Sequence, residues 1–132
     1  MTVVVDASVV VAALINAGPA GDWAESILMS GSLAAPHLMP VEVANVLRRS
    51  ALAGDISAAV ASLAHDDLVS PRVELFPYSS CASRVWELRS TVTAYDAWYV
   101  AVADIVGANL ATLDVRLSRA RKSRCQFVVP PD

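Results

Sequence analysis

Short β-branched or apolar runs alternate along this chain with longer apolar stretches of helical spacing, and that alternation restricts the fold more than any other feature. Thr2 to Val5 is a β-branched run ending at Asp6, the pattern of a buried strand. Ser32 to Ala35, stopped by Pro36, and Val73 to Phe76, closed by Pro77, read as further strands, as do Leu110 to Leu113 and Gln126 to Val129. Between them, helices are predicted over Val9 to Asn16, with Ser8 as N-cap and Gly18-Pro19 as terminator, and over Gly21 to Ser30. A helix over Pro40 to Leu52 has Pro in its first turn and Gly54 at its C-terminus. Ile56 to Val69, Cys81 to Ser90 and Ala94 to Val106 continue the series, the last ended by Gly107, and Val115 to Lys122 reads as a basic helix. Strands alternating with helices imply parallel pairs joined by crossovers. The expectation is an α/β three-layer sandwich with a central parallel sheet, covered on both faces. No repeat or linker divides residues 1–132, so a single domain is expected.

Composition sharpens this further. The chain is 55% hydrophobic and 17% charged, against about 25% charged in an ordinary soluble domain, which leaves apolar surface to spare. Such a surplus points to a homodimer, a tightly bound protein partner, or both. No basic leader precedes an apolar core at the N-terminus, and Val9 to Ile15 is far too short to span a bilayer, so no membrane role and a cytoplasmic location are expected. Cys81 and Cys125 have no metal-type spacing and read as reduced thiols. A net charge of −3 argues against nucleic-acid binding unless a cation fills an acidic site. The basic residues are unevenly placed, however: Arg116, Arg119, Arg121, Lys122 and Arg124 crowd one segment, with Arg48–Arg49 a second spot.

Because charge is scarce, carboxylates in apolar or strand-end settings carry information. Asp6 follows Val3-Val4-Val5, and Asp114 follows Leu110-Ala111-Thr112-Leu113, so each stands at or just beyond the carboxyl end of a buried strand. In open α/β sheets the functional crevice lies there, where strand order reverses. Capping the next helix is the alternative role for either residue. Glu42 shares a polar stripe with Asn45 on a mostly apolar helix, which would also suit a solvated face. Asp96 opens a helix that is apolar nearly all round, and Thr93 to Asp96 has capping-box spacing. Asp104, about 80° round that helix from Asp96, is expected to face solvent and is excluded from the site. If the four carboxylates converge, unit charges about 4 Å apart repel by roughly 4 kcal/mol at an effective dielectric near 20, so they need protons or a cation. Oxygen ligands without His or Cys favour Mg²⁺ or Mn²⁺ over zinc, and His37 and His65 read as surface or loop residues.

Val5-Asp6-Ala7-Ser8, Glu42-Val43-Ala44-Asn45-Val46-Leu47, Tyr95-Asp96-Ala97-Trp98-Tyr99-Val100-Ala101-Val102-Ala103 and Thr112-Leu113-Asp114-Val115-Arg116-Leu117 together resemble the ordered motifs of PIN-domain nucleases. Their order and spacing are similar to those of VapC-type toxins of bacterial toxin–antitoxin pairs across essentially the whole chain. The resemblance implies a parallel sheet in the order 3-2-1-4-5, with the first and fourth strands side by side. It implies that Asp6, Glu42, Asp96 and Asp114 form an acidic metal site for Mg²⁺ or Mn²⁺, with Ser8 and Thr112 as orienting hydroxyls and Asn45 as a supporting partner. It further implies a metal-dependent endoribonuclease acting on a tRNA or rRNA and inhibited by a small cognate antitoxin. Arg116, Arg119 and Arg121 are candidate RNA contacts outside the family pattern, and a solvated surface helix is the alternative.

Three other readings compete. A PIN-domain nuclease could process RNA without an antitoxin, or the fold could serve as a catalytically silent binding module, although all four acidic positions are intact. A phosphoacceptor receiver domain would want paired acids after the first strand and a lysine at a late strand end. Here only Asp6 follows that strand, and the sole lysine, Lys122, lies in the basic segment.

Overall fold

The β-branched run at the N-terminus forms the middle of a five-stranded, wholly parallel sheet. The computed structural model describes residues 1–69 and 72–131. Its strands are β1 (Thr2–Val5), β2 (Ser32–Pro36), β3 (Val73–Phe76), β4 (Asn109–Ala111) and β5 (Phe127–Val128), in the order β3-β2-β1-β4-β5. β1 pairs with β2 through Val3↔Leu33 and with β4 through Val4↔Leu110 and Val5↔Ala111. The chain steps outward from β1 to β3 and then returns to β4, so the strand order reverses between β1 and β4. A crevice must open at the carboxyl ends of those two strands, because the crossovers leave them on opposite sides.

Among the described residues, six α-helices cover the sheet: α1 (Ala7–Ile15), α2 (Pro19–Leu28), α3 (Leu38–Leu52), α4 (Ala58–Leu68), α5 (Tyr78–Glu87) and α6 (Ala94–Val106). α1 packs on α2, α3 and α4, whereas α5 packs on α6, which lies across β1, β2 and β4. Right-handed crossovers put these two groups on opposite faces, giving the expected three layers. One core cluster joins Val3, Val4 and Val5 to Val9, Met39, Val43, Leu88, Leu110 and the inner residues of α6. α6 buries Ala97 and Tyr99 through Ala103, which explains why its sequence is apolar nearly all round. Gly107 ends it with φ 68°, a left-handed conformation that costs a glycine little.

Three local expectations are corrected. Asp6, not Ser8, caps α1: Asp6 Oδ1 accepts from Ala7 N at 2.9 Å, while the Ser8 hydroxyl is used elsewhere. Gly18-Pro19 does not merely end α1 but starts α2, with Gly18 as N-cap and Pro19 in the first turn. α2 then passes so near α1 that a Cβ on Gly21 would stand 1.8 Å from the Asn16 carbonyl oxygen, so only glycine fits. The basic segment is not a helix from Val115 to Lys122. Only a 3₁₀ turn forms at Leu117–Arg119, in which Leu117 is the one buried residue. With a single apolar anchor and several like charges, a longer helix has no face to bury.

Candidate active site

Asp6 reaches the crevice because β1 ends one residue before it, and its own N–H still bonds the Ala111 carbonyl of β4 at 3.0 Å. That bond places Asp6 beside Thr112, a fully buried residue, and the Thr112 hydroxyl donates to Asp6 Oδ2 at 2.8 Å. The Ser8 hydroxyl donates to the same oxygen at 2.8 Å. Each hydroxyl also accepts from the loop after β4: Ser8 Oγ from Leu113 N at 3.0 Å, and Thr112 Oγ1 from Asp114 N at 2.9 Å. The two hydroxyls therefore fix Asp6 and the backbone leading to Asp114 as one unit. Asp114 Oδ1 in turn accepts from Leu117 N at 3.2 Å, so both strand-end aspartates cap the turn that follows and also face the crevice.

The other two carboxylates come from opposite faces of the sheet. Glu42, on α3, accepts a 2.6 Å hydrogen bond from the Tyr99 hydroxyl on α6. Asp96 stands in the first turn of α6, where its N–H bonds the Thr93 cap at 3.2 Å. Asp6, Glu42, Asp96 and Asp114 line one cavity of about 680 Å³, together with Ser8, Asn16, Val46, Ser50 and Asp55. Arg116 Nη2 stands 3.9 Å from Asp96 Oδ2 and 3.7 Å from Asp114 Oδ2, with its side chain 82% exposed.

The electrostatics follow from this crowding. Burial pushes the Asp6 carboxyl above the ordinary aspartate value, opposed by its hydroxyl and backbone donors and reinforced by the Asp114 charge. Glu42 is raised by burial and by the charges of Asp6 and Asp96. Asp96 is raised by burial and by Asp6 and Asp114, with Arg116 pulling the other way. Tyr99, buried and held against Glu42, is raised far above a normal phenol and stays a donor. Groups raised in the fold keep protons that the unfolded chain has released. Their contribution is intact below the ordinary value of 3.8 and is lost as pH rises through the folded values. In EDTA, the melting temperature is therefore expected to fall as pH rises from 4 towards 7. With millimolar Mg²⁺ that fall should shrink, because a bound cation offsets the repulsion. Melting curves identical with and without the metal would contradict this account.

The donor set fits a hard divalent ion. Every charged side chain facing the cavity is a carboxylate, whereas His37 and His65 are exposed and lie outside it. Among the described residues, no three such side chains stand placed to clasp one ion directly. Mg²⁺ does not require that, since it keeps several waters and takes only one or two carboxylates.

Most of the residues singled out in the sequence meet here, with exceptions. Asn45 is exposed and does not line the cavity; Val46 and Ser50 do. Four and eight residues bring Val46 and Ser50 about 40° and 80° round from Glu42, whereas Asn45 turns the other way. Arg116, Arg119 and Arg121 do not line the acidic cavity but border a second cavity next to it, which adjoins the first at Asp96. Asp104 does not face solvent: its side chain is 2% exposed and paired with Arg84 at 2.8 Å, apart from the site. Tyr99 was not anticipated. The available signal was a lone phenol three residues after Asp96 in a buried helix, whose hydroxyl must find a partner. Asp55, in the α3–α4 loop, had no signal at all.

Comparison with known proteins agrees with this fold. The PIN domain family profile matches residues 3–123. The chain is 36% identical over 129 residues to the VapC ribonuclease Mb0985 of Mycobacterium bovis, covering 98% of each protein. It is 38% identical over 125 residues to ribonuclease VapC1 of Mycobacterium tuberculosis, covering 94% of each. Among solved structures, VapBC2 from Rickettsia felis, bound to a DNA fragment from their promoter, superposes with a TM-score of 0.71. It covers 98% of both chains at 15% identity, a likeness of fold alone.

Proposed function

This chain belongs to the PIN-domain family, among its VapC-type ribonucleases, and from that premise we propose that it is a single-domain, Mg²⁺- or Mn²⁺-dependent endoribonuclease, the toxin of a toxin–antitoxin pair. The observation that carries the reading is the convergence of Asp6, Glu42, Asp96 and Asp114, from four separate segments, on one cavity at the reversal of strand order. Asp6, Glu42, Asp96 and Asp114 would hold a divalent ion there, directly or through its waters, and the ion would supply an acidified water and offset charge on the phosphate. Asp6, held by two hydroxyls and one backbone N–H, is the fixed wall of the site and the least free to reorient. Glu42, steered by Tyr99, is placed to take the proton from the attacking water. Asp96 and Asp114 flank Arg116, whose guanidinium can leave them for a substrate phosphate. Attack by water breaks the P–O3′ bond and leaves 5′-phosphate and 3′-hydroxyl ends. No histidine is needed, in keeping with a cavity lined by none.

The substrate class is a tRNA or rRNA, and the location is the cytoplasm. Among the described residues, no helix is long and apolar enough to cross a membrane. Exposed Met29, Leu52, Leu63 and Val69 supply apolar surface for a cognate antitoxin and for a homodimer.

The direct test is incubation of purified, partner-free protein with total bacterial RNA in Mg²⁺, in Mn²⁺ and in EDTA, beside an Asp6→Asn control. Discrete, metal-dependent cuts lost in the control are expected, and end-sequencing names the RNA. Folded wild-type protein that cuts nothing in either metal would turn the reading to a silent binding module. Tyr99→Phe is a finer test. Freed from its donor, Glu42 loses its fixed orientation, and kcat is expected to fall about 10- to 100-fold with KM little changed. An unchanged kcat would remove Glu42 from proton transfer.

A further inference from the structure

Half of the chain's Lys and Arg residues line one cleft. Arg89, Arg116, Arg119, Arg121 and Lys122 surround a cavity of about 720 Å³ that meets the acidic pocket at Asp96, with Arg116 beside Asp96 and Asp114. All five are exposed, and among the described residues only Arg116 has a carboxylate within ion-pair distance. In an acidic protein, such unneutralised cations on one surface form a local positive field that favours a polyanion. The cleft is also built to hold its shape. One wall is the α5–α6 connection, Arg89 to Thr93, with the start of α6, and the other is the segment after Asp114. That segment is tied down by Arg84, which donates to the Lys122 carbonyl while paired with Asp104, and by Arg124 N donating to Asp104 Oδ1 at 3.1 Å. At one edge, Arg89 stacks over the ring of Trp86, 4.7 Å from its centroid, and Trp86 is 65% exposed. An exposed aromatic with a guanidinium on it suits unpaired bases, which a duplex keeps stacked within itself.

We propose that this cleft is the track for RNA flanking the cut site, and that it takes a single strand, phosphates along Arg116, Arg119, Arg121 and Lys122 and a base against the Trp86–Arg89 pair. The assignment rests on the ribonuclease reading, but its test does not depend on cleavage. Fluorescence anisotropy with a labelled 12-nucleotide single-stranded RNA, in EDTA and across a salt series, would compare the full-length protein with Arg119→Glu/Arg121→Glu. Binding is expected to weaken at least about tenfold, and the slope of log affinity against log salt to fall by about 1.4, for two lost phosphate contacts. Arg89→Gln, on the opposite wall, and Trp86→Ala should also weaken binding, and Trp86→Ala should narrow the preference for single strands over a 12-base-pair duplex. Unchanged affinity and slope in folded Arg119→Glu/Arg121→Glu would overturn the proposal. So would tighter binding of the duplex than of the single strand. Binding of poly-L-glutamate but not RNA would also overturn it, and would reassign the cleft to an acidic protein segment. If the variants lose RNA binding but wild-type protein cuts no RNA in Mg²⁺ or Mn²⁺, the cleft stands and the nuclease reading falls.

Discussion

Asp96→Asn is expected to lower RNA cleavage by about a hundredfold or more while raising the thermal stability of the metal-free protein. The substitution keeps the shape of the side chain and leaves the backbone N–H on Thr93 untouched, so α6 should start as before. It removes one negative charge from a cavity in which burial, and then the charges of Asp6 and Asp114, hold the Asp96 carboxyl above its ordinary value. It also removes the contact with Arg116 at 3.9 Å, which is worth little because that arginine is 82% exposed. The folded state therefore loses more repulsion than attraction. Catalysis has the opposite dependence, since oriented charge in such a site commonly carries about 10²- to 10³-fold of the rate. Single-turnover cleavage in Mg²⁺ and melting in EDTA would separate the two effects. Full cleavage by the variant would remove Asp96 from the machinery. Loss of activity together with loss of stability would make it a structural residue of the α6 start.

The parts of this fold that sequence foretold are those governed by local chemistry. β1 was placed correctly because a β-branched run ending at Asp6 has few other uses, β3 because Pro77 closes a short, largely apolar run, and α6 because Gly107 is a strong stop. Asp6 and Asp114 were legible as candidates from their place at or just past strand carboxyl ends, with capping as the alternative, and the motif resemblance supplied the reversal beside them. Glu42 and Asp96 needed the motif resemblance as well, because a helix face alone does not separate a solvated carboxylate from one aimed at a crevice. The failures have a different origin. The basic segment has polar spacing compatible with a helix, but no buried face to support one. Tyr99 acquires its role from Glu42, 57 residues away, and Asp104 is covered by residues that arrive after β4. Periodicity within one helix carries no record of either event.

Asp104 is where that blindness matters most for stability. Its carboxylate is 2% exposed and Arg84 is 11% exposed, with Arg84 Nε 2.8 Å from Asp104 Oδ2, so this is a buried ion pair and not a surface one. Asp104→Ala would leave the Arg84 guanidinium buried with only the Lys122 carbonyl and the more distant Glu87, 3.8 Å away and more than half exposed. Breaking one side of such a pair costs about 3–5 kcal/mol, and chemical denaturation should show a loss of that size, with melting lowered by about 10 °C or more. A loss below about 1 kcal/mol would mean that the pair is effectively solvated. The double change Arg84→Met/Asp104→Leu should recover much of the loss, because apolar residues of similar size can replace a buried pair without leaving a lone charge. Recovery should not extend to the segment after β4, however. Arg124 N loses its acceptor and the Lys122 carbonyl its donor, so amide exchange around residues 122–124 should quicken even where global stability is restored. The same ion pair thus has two separable effects: charge pairing that sets the depth of the fold, and two backbone contacts that hold the basic wall beside the acidic pocket.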